Sequence, residues 1–351
     1  GLDALADSSI KTLILRKTSV TAEGVARFRE QHPDCEVIWD DTPLSREEAV
    51  ERIIELGGTV SVVREKNYLL RPVAGPAEIA DDEWPWLQID LQDAESLSSD
   101  DLRGILTGIA KPLHLLLPRS GETEKLLPIV LEIGAAREDD TEAEYDGLRP
   151  PGVRQSGIVY LMLPTDAQDE HLGMLAPLRW LQSVQCNMAT NLTDEALYAL
   201  SEHPNIGRFH GLLFSSTQVT DAGVAHIVQR TPLLASINLG TTQVTDETLR
   251  VLGHLDGLQS LYLRKTEITD AGLEALSSSS VAKIDLRDTN VTAEGVARFR
   301  EQHPDCEVLW DDTALSREEA IDWIIELGGN VSVVDGYGAP TREVSRGAEI
   351  S

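Results

Sequence analysis

His32, Pro33, Asp34 and Cys35 put an imidazole, a carboxylate and a thiol within four residues, and the run returns as His303, Pro304, Asp305 and Cys306. Such groups suit a Cys/His nucleophile or a metal site. Context points elsewhere. His203-Pro204-Asn205-Ile206 and Thr231-Pro232-Leu233-Leu234 have the same form, with Pro ending a helix and the fourth residue entering the next extended segment. Cys35 and Cys306 stand where Ile206 and Leu234 stand, so both are predicted to be buried apolar thiols. Cys186 falls at a core place as well. Trp39 and Trp310 occupy the corresponding place in their own segments, and also suit anchoring at an interface.

Asp40-Asp41, Asp311-Asp312 and the acidic run Glu138 to Asp146 could attract a cation, but they lack the alternating oxygens and glycine of an EF-hand loop and read as solvated acid. Asn191, Asn290 and Asn330 begin sequons that arise as by-products of a repeat. There is no Gly-rich phosphate loop, nucleophile elbow or His-Glu-x-x-His. The expectation is a protein with no catalytic residues, metal or cofactor.

The 351 residues carry 59 acidic and 30 basic side chains, a formal charge of −29. With basic residues scattered, nucleic acid and anionic membranes are poor partners. No apolar run approaches the roughly 20 residues of a membrane span, so no membrane insertion is expected. Gly1 to Leu5 do not read as a signal peptide, and a chain without an initiating Met reads as processed or excised. The compartment stays open, with an extracellular or cell-surface setting preferred to a cytoplasmic one.

The phrase Leu-x-x-Leu-x-Leu-x-x-Thr-x-Val/Ile-Thr-Asp-x-x-Leu dominates the second half, as in Leu258 to Leu273. Its helix-starting Thr or Ser falls at Thr193, Thr220, Thr245, Thr269, Thr292 and Ser316, at spacings of 27, 25, 24, 23 and 24. This pattern resembles the leucine-rich repeat family, and its Thr-Asp-x-Gly-Leu start is similar to the ribonuclease-inhibitor-like and cysteine-containing subclasses and to planctomycete-type bacterial arrays. The resemblance implies an α/β solenoid, with short parallel strands on a concave face and helices on a convex one. It also implies a protein-binding or structural role without enzyme activity.

Each turn has a physical reading of its own. Leu258, Leu261 and Leu263 alternate into a core, Ile268 closes the bend, Thr269 caps a helix, Asp270 favours its positive end, and Leu273 and Leu276 face inward. Weaker copies lie at Trp86 to Leu91 before Ser98, Leu113 to Leu117 before Glu122, and Ile158 to Leu163 before Asp169. Trp310 to Ser316 starts a further turn, with a helix ending at Gly328-Gly329 and a strand at Val331 to Val334. A threonine column, Thr18, Thr42, Thr217, Thr242, Thr266, Thr289 and Thr313, offers hydroxyls to backbone groups.

A longer period overlies this one. Residues 21–37 recur unchanged at 292–308, and the offset of 271 holds without a gap across the 351 − 271 = 80 overlapping residues, of which 52 are identical. Residues 1–63 are therefore read as turns equivalent to 272–334. An irregular connector follows at 64–84, degenerate turns at 85–134, an acidic Pro/Gly loop at 135–157, regular turns at 158–334, and the start of the next connector at 335–351. Eleven turns of about 24.6 residues fill one unit, and both chain ends cut through it, which leads to an expectation of end-to-end self-association into fibres, rings or a long tandem array.

A binding face is expected on the strands, between the core leucines. Its residues are read as Arg208 and His210, Ser236 and Asn238, Ser260, Tyr262 and Arg264, then Lys283, Asp285 and Arg287. Arg and Tyr are frequent at interaction hot spots, and the expected partner is a protein.

Overall fold

The turn around Leu258 shows how the repeat folds. Leu258, Leu261, Leu263, Ile268, Leu273 and Leu276 are each 3% exposed or less, and burying a side chain of this size stabilises by about 2 kcal/mol. Thr269 adopts extended backbone and its hydroxyl accepts from the Ala271 N–H, which fixes where the helix starts. The threonine column works as expected where it is described: Thr217, Thr242, Thr266 and Thr289 each donate their hydroxyl to the carbonyl three residues earlier, at 2.6–2.7 Å.

The computed structural model describes residues 10–15, 22–33, 35–38, 44–64, 69–80, 83, 87–94, 97–109, 114–119, 122–134, 157–311, 324, 331–334 and 340–344. Thr18, Trp39, Asp40, Asp41, Thr42, Asp312, Thr313, Ser316, the 138–146 run, Gly328-Gly329 and Asn330 lie outside them.

The elements are β1 (Thr12–Ile14), α1 (Ala22–Gln31), β2 (Glu36–Ile38), α2 (Arg46–Glu55), β3 (Thr59–Arg64), β4 (Leu69–Val73), β5 (Leu87–Asp90), α3 (Ser99–Ile109), β6 (His114–Leu116) and α4 (Thr123–Gly134). Then come β7 (Tyr160–Met162), α5 (Asp169–Gly173), β8 (Ser183–Gln185), α6 (Asp194–Ser201), β9 (Gly211–Leu213), α7 (Asp221–Val228), β10 (Ser236–Asn238) and α8 (Asp246–Leu252). The last are β11 (Ser260–Tyr262), α9 (Asp270–Ala275), β12 (Lys283–Asp285), α10 (Ala293–Gln302), β13 (Glu307–Leu309), β14 (Val331–Val334) and β15 (Pro340–Val344). The three weaker turns appear as β5 before Ser98, β6 before Glu122 and β7 before Asp169.

One sheet runs β13-β12-β11-β10-β9-β8-β7-β6-β5-β3-β4. From β5 to β13 each strand is parallel to its neighbour, with the alternating helices behind. A continuous core follows this stack from Ala49 to Val308, with Trp310 packed against it.

The beginning of the chain differs from the sequence expectation. The connector expected at 64–84 contains β4, which forms an antiparallel hairpin with β3, and β3 also pairs antiparallel with β5. This hairpin closes the β5 edge, so the sheet does not present an open repeat end on that side. β1 and β2 form a separate two-stranded parallel sheet over their own small core of Leu15, Val25, Phe28 and Val37. α2 instead belongs to the main stack. It lies close to α3 because Gly104 and Gly108 face Leu44 and Ala49, and Arg52 Nε donates to Asp101 Oδ1 at 2.8 Å.

Candidate protein-interaction face

Behind the strands the turns are joined by a ladder that the repeat motif encodes. The aspartate opening each helix reaches the capping threonine of the next turn: Asp169 to Thr193, Asp194 to Thr220, Asp221 to Thr245, Asp246 to Thr269 and Asp270 to Thr292. Each carboxylate accepts both the backbone N–H and the hydroxyl, at 2.6–2.8 Å. Burial pushes the Asp221 carboxyl up, but hydrogen bonds from Thr245 and Thr248 outweigh it and hold the group below its ordinary range. The ladder also accounts for the motif's glycine. A Cβ on Gly223, Gly272 or Gly295 would stand 2.1–2.4 Å from the carboxylate oxygen of Asp194, Asp246 or Asp270. These acids hold turns together, and no His/Cys/Asp/Glu group among the described residues is arranged to hold a metal ion.

On the strand face, the first and third residues of each triplet point away from the core. Ser236, Ser260 and Lys283 share one row, and Asn238, Tyr262 and Asp285 the next. Arg264 and Arg287 follow two residues later. The second row is more enclosed than expected, with Asn238, Tyr262 and Asp285 at 3%, 5% and 0% exposure.

Arg208 and His210 do not join these rows. A 3-10 turn at Ile206–Arg208 precedes the strand, and buried Phe209 takes the place of Leu234 and Leu258, because the register pairs Gly211 with Ser236. Gly211 and Leu213 hold the face positions in that turn. The 27-residue spacing between Thr193 and Thr220 is the one sequence sign of this insertion.

The expected cationic character is largely neutralised. Arg287 grips the fully buried Asp285 through two bonds, Nε to Oδ1 at 2.9 Å and Nη2 to Oδ2 at 2.6 Å, and this hydrogen bonding raises the guanidinium pKa. Arg264 pairs with Asp288 at 2.9 Å, and Lys283 with Glu307 at 3.4 Å.

A feature absent from the sequence reading lies just past the strands. Met188, Ser216, Thr241, Lys265 and Asp288, one per successive turn, have φ of 57–64°. Left-handed backbone costs a non-glycine residue about 1 kcal/mol or more. In return, the first four point their N–H at the carbonyl of Ser215, Gly240, Arg264 or Arg287 in the next turn, at 2.7–2.8 Å, and Asp288 donates to Asp311 Oδ1 at 2.7 Å. Beside this row runs a groove of about 580 Å³, lined by residues of five turns from Asn187 to Asp288 and including Asn238, Tyr262, Arg264 and Lys265. In its wall the buried Asn187 accepts from the Ser215 N–H through Oδ1, at 3.0 Å, while its Nδ2 has no partner among the described residues. The site is therefore polar, extended across turns, and able to offer an amide donor.

The cysteines divide. Cys186 is buried as expected, and burial drives its thiol pKa sharply upward. Cys35 and Cys306 are only half-buried at the edges of their cores. The strand register explains this correction: Lys283 pairs with Glu307, so Cys306 lies opposite Ala282 rather than the buried Val281. Burial, with Glu307 beside it, pushes the Cys306 thiol up to about 11. Trp310 is half-buried against the main core, with Nε1 donating to the Val291 carbonyl.

A family model described as leucine-rich repeat matches residues 258–277, the turn holding β11. Internalin C2 of Listeria monocytogenes is similar at 18% identity over 62% of this chain and 86% of its own, with a TM-score of 0.35. An internalin, inlF, of the same organism is similar at 16% over 62% and 70%, TM-score 0.35, and actin-binding site 2 of leiomodin-1 at 16% over 39% and 87%, TM-score 0.31. Nine strands in parallel register from β5 to β13, with capped helices behind them, give this chain the fold of a leucine-rich repeat solenoid, and the family match falls on the turn of β11.

Proposed function

We propose that the chain is a non-enzymatic interaction scaffold built from 271-residue modules. The observation that carries this is the recurrence of whole elements at one offset. β12, α10 and β13 stand 271 residues after β1, α1 and β2, since 283 − 12, 293 − 22 and 307 − 36 all equal 271. The continuous core runs from Ala49 to Val308 with Leu44 and Trp310 packed against it, a stretch of 310 − 44 + 1 = 267 residues that fits within one 271-residue unit. The preceding β1-α1-β2 keeps a separate core. The folded module is thus offset from the chain's first residue, and successive modules follow one another as distinct bodies with a hairpin at each start.

Limited proteolysis of the 351-residue chain tests this. A resistant product bounded near residues 44 and 310 is expected, and equal resistance of residues 10–38 and the main stack would remove the modular reading.

The groove supports a second reading, in which the same module receives an extended segment of a partner protein. Peptides selected from a random library against the chain should bind Arg264→Ala at least tenfold more weakly, while the variant loses less than about 1 kcal/mol of stability. Undiminished binding would count against the groove.

A further inference from the structure

The left-handed row carries its side chains into the groove. Met188, Ser216, Thr241, Lys265 and Asp288 all line it, and none is glycine, although glycine would relieve the strain at each place. The cost is greatest at Thr241, whose branched Cβ makes a φ of 57° a rare conformation. What the fold retains at this cost is an ordered set of side chains, one per turn: a thioether, two hydroxyls, an ammonium and a carboxylate. Met188 is 52% exposed, the highest value among the large apolar side chains described. Lys265 is exposed and in no ion pair with a described residue, whereas Arg264 and Lys283 on the same face are paired. Next to Met188, Asn187 is 7% exposed and keeps its Nδ2 without a partner among the described residues.

We propose that this row selects an extended segment of a partner protein that carries an apolar side chain over Met188 and a carboxylate over Lys265. The inference rests on the groove reading and adds the partner's chemistry. Met188 and Lys265 are three turns apart, since β8, β9, β10 and β11 are successive neighbours, and three strand spacings come to about 14 Å. An extended chain advances about 3.4 Å per residue, so the carboxylate stands about four residues from the apolar side chain. Between them the hydroxyls of Ser216 and Thr241 serve backbone N–H and C=O groups that an extended segment leaves unpaired, and Asn187 Nδ2 donates to a carbonyl at the apolar end. Asp288, one turn beyond Lys265, repels a carboxylate displaced by a turn and so fixes the register.

Random peptides of about twelve residues, selected once against the full native chain and once against Lys265→Glu, test this. The native chain should enrich an acidic residue about four positions from a large apolar one. Lys265→Glu should bind those peptides about tenfold or more weakly and should itself select a basic residue at the same spacing. Lys125→Glu, at an exposed place on α4 and with the same change in net charge, should bind them as the native chain does. Peptides that lose affinity to Arg264→Ala, yet carry no acid at this spacing and bind Lys265→Glu equally, would overturn the inference and leave the groove reading standing. Peptides indifferent to Arg264→Ala would overturn both, as would a selection that yields no binder. Equal losses in Lys265→Glu and Lys125→Glu would reduce the contact to overall charge and overturn the inference.

Discussion

The carboxylate of Asp246 occupies the space that a side chain on Gly272 would need, with Oδ1 2.4 Å from an ideal Cβ, while its two oxygens receive the N–H and hydroxyl of Thr269. Gly272→Ala should therefore destabilise the protein by about 1–3 kcal/mol, although alanine is the better helix former. Asp246→Ala relieves the clash, so the double variant should cost less than the sum of the two single changes. Urea unfolding of the four proteins measures the coupling, and strict additivity would show that the contact is not what selects glycine.

Acid should act through the same ladder. Asp221 has a folded-state pKa below its ordinary value, so on acidification the unfolded chain takes up this proton first. The stability it contributes is complete above the ordinary carboxylate range and disappears as pH falls through the depressed folded value. Asp221→Asn should lower stability at pH 7 and flatten the loss between about pH 5 and pH 2. Denaturation curves across that interval decide it, and an unchanged slope would remove Asp221 from the acid response.

Two arginines on the strand face should behave differently. Arg287→Ala strands the fully buried Asp285 and should cost about 2–4 kcal/mol. Arg264→Ala breaks an exposed pair with Asp288 and should cost less than about 1 kcal/mol. Similar thermal shifts for the two would contradict the contrast in burial.

The cysteines should report local opening in two classes. At pH 8 Cys35 and Cys306 should react with a thiol reagent before unfolding, Cys306 slowly because its thiol titrates near 11 and faster as pH rises. Cys186 should stay silent until the core opens. Simultaneous labelling of all three in native protein would contradict this order.

The regular turns were legible because their information is local. Leu258, Leu261, Leu263 and Thr269 declare a strand, a core and a cap within twelve residues. The aspartate ladder was hidden because its partners stand 22–26 residues apart, so Asp270 read as a local charge at a helix start although its oxygens serve Thr292. Arg208 and His210 were misplaced because a 3-10 turn changes phase without an obvious break in composition. Val60 to Val63 read as a strand, but nothing in that run tells a parallel neighbour from an antiparallel one. On the face, residue type foretold Arg287 but not its grip on Asp285, which removes most of its charge from the surface.

The hairpin at the start of the sheet gives assembly a direction. Val60 and Val73 are 13 residues apart, whereas Leu261 and Ile284, neighbours in the parallel stack, are 23 apart and need a helix between them. The shorter loop costs less closure entropy and forms on the faster timescale. A chain leaving the ribosome also delivers β3 and β4 before any strand from β5 onward. β5 then meets a finished edge, and each later strand adds to the one before it. Pulse-labelled hydrogen exchange during refolding should find β3 to β5 protected ahead of β11 to β13, and the opposite order would place nucleation in the regular turns.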